Sequence, residues 1–243
     1  MSDDRRTIID AHAMLGEETY LSLTPDELLR RMDEAGIELA IARPMGAGLV
    51  VDHVAGNDLV LGAGPRVRAL VSVNPWWGTK ALEELTRCRD RGAVGLFLDP
   101  LRQGFMPTEP VAAPLLDRAA TYGWPVMFRT GAYVNADVLA LAEVARRYLQ
   151  INFIAGFGGF ADMWFELPGV FASAPNLFLD GSMMWGEAIR QIVRGHGASR
   201  VLFASGEPRN RCAVNLRTLD RLELDPASRR AILFANAKRV FRI

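Results

Sequence analysis

The chain has 243 residues, half of them hydrophobic, and is therefore long enough to bury a large core. Lysine plus arginine and aspartate plus glutamate both number 28, so no bulk charge attracts a polyanion, and nucleic acid is not an expected partner. The first residues, MSDDRR, lack the apolar core of a signal peptide, and no stretch approaches the roughly 20 apolar residues that cross a bilayer. We therefore expect a cytoplasmic protein without a membrane partner.

Eight short apolar runs recur along the chain. Several of them are apolar enough to be covered on both faces, as the strands of parallel sheets are. In chain order the runs are TIIDAHA, LAIARP, VRALVSV, AVGLFL, PVMFRTG, INFIAG, LFLDGS and RVLFAS.

Amphipathic segments of helical length separate these runs. In the first, TPDELLRRMDEAG, Thr24 can cap the helix, Pro25 lies in the first turn and Gly36 ends it. The alternation predicts parallel strands with right-handed crossovers, and eight such units predict an α/β fold, the (β/α)8 or TIM barrel. Because no linker interrupts the pattern, we expect one domain over residues 1–243.

In this fold the chemistry lies where the strands end. The predicted strand ends carry a histidine, carboxylates, arginines and large aromatic residues, a mixture that can bind and transform a small polar or aromatic acid. The candidate residues are Asp10, His12, Arg43, Asn74, Trp76, Trp77, Asp99, Arg129, Asp180, Glu207 and Arg209.

The first strand carries half of a metal-binding pattern. Alternate side chains of a strand share a face, so Asp10, His12 and Met14 point the same way. Two histidines there would chelate a divalent cation, but a methionine thioether suits copper(I) and is a poor ligand for zinc or manganese.

Several segments together resemble the amidohydrolase-related family, which includes decarboxylases similar to aminocarboxymuconate-semialdehyde decarboxylase, hydratases and lactone hydrolases. The resemblance covers nearly the whole chain, and it implies a barrel of the metal-dependent hydrolase type and makes a homodimer reasonable. The segments that carry it are IIDAHA, VNPWW, GLFLDP, GWPVMFRTG, FIAGFGG, RVLFASGEP and ILFANAKRVF.

The chain departs from the family at the metal ligands that the resemblance implies. Where the family has its second first-strand histidine, a histidine on the fifth strand, another on the sixth and an aspartate on the eighth, this sequence has Met14, Arg129, Gly156 and Gly206. His12 alone cannot hold a catalytic divalent ion, so we expect neither a metal nor another cofactor. The alternative is a rearranged shell built from the remaining carboxylates, Asp10, Asp99, Asp180 and Glu207.

The leading hypothesis is a metal-independent enzyme, of the lyase, decarboxylase, isomerase or cyclase type, that acts on a small carboxylic acid. Arg129 is its expected anchor, because a fixed guanidinium clamps a carboxylate or stabilises an oxyanion. His12 is the expected acid or base, with Asp10, Asp99 or Glu207 tuning or replacing it. The expected further substrate contacts are Arg43, Asn74, Trp76, Trp77, Asp180 and Arg209.

Two other classes remain open. In one, the protein is a noncatalytic relative that binds a ligand or a partner subunit, and Arg129 only pairs with Asp99 or Glu207. In the other, it is a residual metal-dependent hydrolase. An open mouth with His12 facing Arg129 would indicate an enzyme, whereas a mouth filled by Met14 and Phe157 would favour the noncatalytic class.

Two further histidines, His53 and His196, fall in connecting segments of the predicted barrel. We expect both to be exposed to solvent.

Overall fold

The computed structural model describes residues 7–131, 134–160 and 163–243. Within these ranges eight strands run parallel, and the short β2 pairs antiparallel with the end of β1. The strands are β1 (Ile9–Glu18), β2 (Leu21–Leu23), β3 (Leu39–Pro44), β4 (Val67–Ser72), β5 (Gly95–Leu98), β6 (Val126–Arg129), β7 (Phe153–Gly156), β8 (Leu177–Asp180) and β9 (Val201–Leu202).

The sheet curls into a barrel in which β1 follows β9. The N–H of Ala11 donates to the carbonyl of Phe203 at 2.9 Å, and the N–H of Gly206 donates to the carbonyl of His12 at 2.9 Å. Each predicted apolar run overlaps one of the eight parallel strands, and β1 extends beyond its run to Glu18. The predicted TIM barrel is confirmed; the extent of its single domain stays a prediction.

Helices connect the strands. Thr24 caps α1 by accepting from the N–H of Glu27, and Gly36 ends the helix at φ 68°, as the sequence predicts. No helix of the described ranges is both long and apolar enough to cross a membrane. The helices are α1 (Pro25–Ala35), α2 (Ala47–Val50), α3 (His53–Leu61), α4 (Thr79–Asp90), α5 (Pro100–Gln103), α6 (Ala113–Tyr122), α7 (Val138–Arg147), α8 (Leu167–Ser173), α9 (Gly186–His196), α10 (Cys212–Asp220), α11 (Pro226–Arg230) and α12 (Asn236–Phe241).

One apolar cluster fills the inside of the barrel. Every parallel strand contributes at least one buried side chain to it, which is the layered packing expected of this fold. The strand residues in the cluster are Ile9, Ala11, Ile41, Leu70, Phe97, Met127, Ile154, Phe178 and Leu202. Because Phe97 also contacts His12 and Arg43, this layer is the floor of the polar groups described next.

Candidate active site

A chain of three hydrogen-bonded side chains lies above the apolar floor, and we call it the inner chain. It consists of Asp180, His12 and Arg43. The Nδ1 of His12 lies 2.6 Å from Oδ2 of Asp180, and Nε of Arg43 donates to Nε2 of His12 at 3.0 Å. Since a guanidinium has only donors, Nε2 of His12 must be the acceptor, and the ring proton belongs on Nδ1. His12 is therefore neutral in this arrangement.

Burial reinforces this charge state. Removal from water lowers the pKa of His12, although the neighbouring Asp180 opposes that shift. For Asp180 burial acts in the opposite direction, but the interaction with His12 and the N–H groups of Phe157 and Ser182 hold its pKa below the usual value. The inner chain therefore pairs a neutral imidazole with an ionised carboxylate.

Arg43 closes the outer end of the inner chain. Its Nη1 donates to the carbonyl of Pro44 at 2.9 Å, its Nη2 to Sδ of Met14 at 2.8 Å, and its Cζ lies 4.0 Å from the centre of the Phe97 ring. Burial lowers the pKa of Arg43 to about 9, which still leaves it a cation at neutral pH. A positive charge thus lies against Nε2 of His12.

The walls around the inner chain leave no open route to His12. The imidazole is 0% exposed, and its ring centre lies 4.8 Å from that of Phe157 and 5.9 Å from that of Phe97. Met14 is also fully buried. The structure therefore shows the filled mouth that favours the noncatalytic class. Arg43, which the sequence indicated as a substrate contact, is an additional side chain that fills it.

Asp10 lies beside the inner chain, and its carboxylate bonds to Ser205, in the segment that follows β9. Its Oδ1 accepts from the N–H groups of His12 and Ser205 at 3.1 and 2.7 Å, and its Oδ2 accepts from the Ser205 hydroxyl at 2.5 Å. Complete burial raises the pKa of Asp10 to about 7 despite these donors. Asp10 thus joins β1 to the segment after β9.

Outside the inner chain, alternating charges cross the mouth, and we call this group the rim. It runs from Arg129 through Asp99, Arg102 and Glu18 to Arg209. Nη1 of Arg129 and Nε of Arg102 lie 3.7 and 3.9 Å from the two Asp99 oxygens, and both Arg102 and Arg209 donate to Glu18. Glu18 and Arg102 are not among the residues expected from the sequence, because the apolar pattern does not indicate a hairpin that extends β1 to Glu18.

Arg129 is the rim residue with spare donors. Its side chain is 23% exposed, and its buried Nη1 has no hydrogen-bond partner among the described residues. Nη1 of Arg129 and Oδ1 of Asp99 form an ion pair, but the 3.7 Å between them is too long for a hydrogen bond. Burial lowers the pKa of Arg129. A guanidinium with unused N–H groups at the mouth is suited to an incoming carboxylate.

The remaining candidates lie apart from the inner chain. Glu207 is buried and pairs with Arg31 at 2.5 Å, while its Oε1 accepts from the N–H of Cys212. Asn74 accepts from the N–H of Trp76, whose indole Nε1 donates to the carbonyl of Gln103 at 3.1 Å. These contacts give Glu207 and Asn74 structural partners.

Trp77 contacts His53, a histidine that the sequence pattern predicted to be exposed. Its ring packs edge-on against His53, with the ring centres 4.7 Å apart. His53 is only 1% exposed, so the expectation of a solvent-exposed side chain is wrong for this residue. The helix that begins at His53 turns the ring inward, toward the segment that follows β4.

The amidohydrolase family model matches residues 9–243, which is nearly the whole chain. The chain belongs to this family. None of the curated protein sequences is significantly similar to it.

Solved structures share the fold at low sequence identity. A 5-carboxyvanillate decarboxylase from Novosphingobium aromaticivorans, complexed with manganese and a nitrobenzoic acid, has a TM-score of 0.79 and 14% identity, covering 100% of this chain and 98% of that one. A 2,6-dihydroxybenzoate decarboxylase from Rhizobium has a TM-score of 0.78 and 16% identity, covering 98% of both chains. A 4-oxalomesaconate hydratase from Rhodopseudomonas palustris has a TM-score of 0.75 and 18% identity, covering 97% of this chain and 95% of that one.

Membership of the amidohydrolase family implies a divalent metal ion at the barrel mouth, but the residues at the ligand positions of this chain do not fit such an ion. The guanidinium of Arg43 lies between Nε2 of His12 and Sδ of Met14, the first-strand positions at which the family places its two ligands. A Cβ at Gly156 would lie 2.8 Å from the carbonyl oxygen of Phe128, so a histidine there would require the backbone to shift. No group of three metal-ligating side chains occurs in the described ranges.

Proposed function

We propose that this protein is a metal-independent lyase of the amidohydrolase family that acts on a small carboxylic acid. Arg129 anchors the substrate and His12 transfers the proton. One observation carries the proposal: Arg43 places a cation of the chain itself against Nε2 of His12, at 3.0 Å.

The physical cost of the inner chain supports a functional role. A buried ion pair is expensive because its groups leave water, and well-packed apolar side chains in its place are often equally or more stable. Strongly perturbed titratable groups in a barrel mouth are candidates for catalysis for the same reason. Asp180, His12 and Arg43 are all buried to within 3% exposure.

Arg43 supports lyase chemistry more than hydrolysis. A guanidinium stabilises a carboxylate or an enolate-like oxygen, but it does not lower the pKa of a bound water as zinc does. Decarboxylation needs no water: the carbon–carbon bond breaks, its electron pair stays on the substrate carbon, carbon dioxide leaves, and one proton is added to that carbon. Nε2 of His12 can take up a substrate hydroxyl proton and return it to carbon, while Asp180 stabilises the imidazolium formed.

Access to Nε2 requires Arg43 to exchange its partner. All three of its acceptors are neutral groups: Nε2 of His12, the carbonyl of Pro44 and the weakly accepting sulfur of Met14. A substrate carboxylate offers bidentate, charge-assisted bonds that are stronger than these. In the proposed reaction, a carboxylate first meets Arg129 at the rim and then draws the guanidinium of Arg43 away from His12. Substrate binding thereby exposes the base.

A second candidate is noncatalytic binding of a carboxylic acid or a partner subunit. The filled mouth favours it, because His12 has no exposed surface and both of its ring nitrogens are engaged. In this case Arg129 binds the ligand and Arg43 stays on His12.

A binding and turnover screen separates the two candidates. Hydroxybenzoic acids and aliphatic dicarboxylic acids are tested for binding by calorimetry and for release of carbon dioxide, with EDTA present throughout. The proposal expects at least one acid to be bound and consumed under these conditions. Binding without turnover across the panel would establish the noncatalytic candidate instead, and absence of both would contradict a carboxylic acid ligand.

A further inference from the structure

A separate cavity of about 280 Å³ lies outside the inner chain and the rim. It is formed by the start of α3, the segment after β4, and α4. Its apolar wall comes from Val54, Val73, Trp77 and Ala81, and none of the rim residues lines it. A dry apolar cavity of about 150 Å³ holds benzene, so this volume suits a single ring with a small substituent.

His53, which also lines the cavity, is locked in one tautomer. Its Nε2 accepts from the backbone N–H of Asn74 at 3.1 Å, so the proton of the neutral ring belongs on Nδ1. Burial lowers the pKa of His53, which favours this neutral form. The ring therefore presents one fixed donor.

That donor has no protein partner. Nδ1 of His53 is buried and makes no hydrogen bond to any described residue. Buried polar groups are nearly always hydrogen-bonded, because leaving one unpaired forfeits its hydration. An acceptor brought in by a ligand would remove this penalty.

Charges at the lip of the cavity balance one another. Lys80 and Glu83 are both exposed and of opposite sign. Glu84 is already paired with Arg87 at 2.7 Å. With no surplus of either sign, the lip offers no net charge to attract an ionised ligand.

We infer that this cavity binds a neutral single-ring compound that carries one hydrogen-bond acceptor, such as a ketone or an amide. The acceptor receives the Nδ1–H of His53, and the ring packs against Trp77. Because Trp77 is 42% exposed, its ring reaches both the cavity and the solvent from which the ligand enters.

Acetophenone and ethylbenzene test this inference, since they match in size and only acetophenone has an acceptor. Binding is followed through the indole signals of the ¹⁵N-labelled protein, with the Trp77 signal assigned from a Trp77→Phe variant. Acetophenone should shift the Trp77 signal and bind about tenfold more tightly than ethylbenzene, as expected for one hydrogen bond to a buried donor.

Variants locate the site. His53→Phe keeps a ring but removes the donor, so the affinity ratio of the two compounds should fall to about one. Val54→Trp adds bulk at a position that is 47% exposed and lines the cavity, so it should abolish binding of both compounds even if His53→Phe does not fold. Trp76→Ala is the matched control, because Trp76 is exposed and outside the lining; both affinities should stay unchanged.

Two results would overturn the inference. If neither compound shifts the Trp77 signal up to its solubility limit, the cavity is not a ligand site. If both bind equally in the parent protein, His53 does not select an acceptor.

Discussion

The inner chain and the rim both contain charged side chains at one end of the barrel, but they differ in solvent exposure and in how many of their hydrogen-bonding groups are already paired. In the inner chain, His12 and Asp180 have no exposure, and each ring nitrogen of His12 has one partner. In the rim, Arg129 is 23% and Arg209 34% exposed, and Arg129 has an unused donor. Under the proposed function, a ligand meets adjustable charges first and fixed ones second, so its affinity and its turnover should depend on different residues.

The largest expected effect is on turnover, through the inner chain. His12→Asn should reduce turnover of an identified substrate by about 10²- to 10⁴-fold, because the acid/base group is lost. Binding should survive, since the rim is untouched. Steady-state kinetics and calorimetry on the same preparation measure both quantities. Full activity in this variant would transfer the catalytic role to Asp99, the buried carboxylate beside Arg129.

The next effect is on stability. The pKa of Asp10 is raised in the folded state to about 7, from about 3.8 when unfolded, so the folded protein holds the proton more tightly. The proton on Asp10 therefore contributes up to roughly 4 kcal/mol to the free energy of unfolding. This contribution is fully present below about pH 4 and is lost as pH rises to about 7.

The Asp10→Asn variant isolates this contribution, because asparagine keeps the acceptor oxygen but does not titrate. The free energy of unfolding of the parent protein, relative to the variant, should therefore fall between pH 4 and pH 7. Denaturant melts at several pH values measure the difference. A constant difference would mean that Asp10 titrates as it does in the unfolded chain.

A smaller effect, on affinity, is expected at the rim. Arg129→Lys keeps the charge but loses the planar fork, so the Kd of a bound carboxylate should rise about tenfold. The free energy of unfolding should change by less than about 0.5 kcal/mol, because a partly exposed ion pair contributes little. Calorimetry and denaturant melts test both. Lost stability with unchanged affinity would make Arg129 a structural partner of Asp99.

No effect at all is expected from metal removal. Protein purified without chelator should contain well under one zinc, manganese or iron per chain, and EDTA should leave ligand binding and turnover unchanged. Elemental analysis by plasma mass spectrometry provides the count. Stoichiometric metal that survives dialysis, and is lost in His12→Asn, would contradict the metal-independent proposal.

Local patterns account for much of the fold. Apolar runs predicted all eight parallel strands, and Thr24 and Gly36 marked the ends of α1, because strands and caps are determined by nearby residues. The contact of Arg43 with His12 joins residues 31 positions apart, and no local pattern specifies it. A clue was still present: an arginine inside the apolar run LAIARP needs a buried partner.

The sequence indicated which candidate residues lie close together, but not how they are arranged. Asp10, His12, Arg43 and Asp180 do lie together, because strand ends of a barrel converge. Glu207 lies near them in sequence order but turns toward Arg31 of α1, a choice made by a helix packed outside the barrel. The β1–β2 hairpin that carries Glu18 into the rim depends on pairing between residues 16 and 23, which hydrophobic periodicity does not reveal.

Arg43 also changes how the protein depends on its surroundings. A bound ion must be acquired after synthesis, and its occupancy follows the concentrations of that ion and of competing ions. A guanidinium is encoded in the gene, is present once in every copy made, and neither exchanges nor changes oxidation state. In the proposed metal-independent reaction, the barrel is therefore ready to act as soon as it has folded, in scarcity of transition metals as much as in abundance.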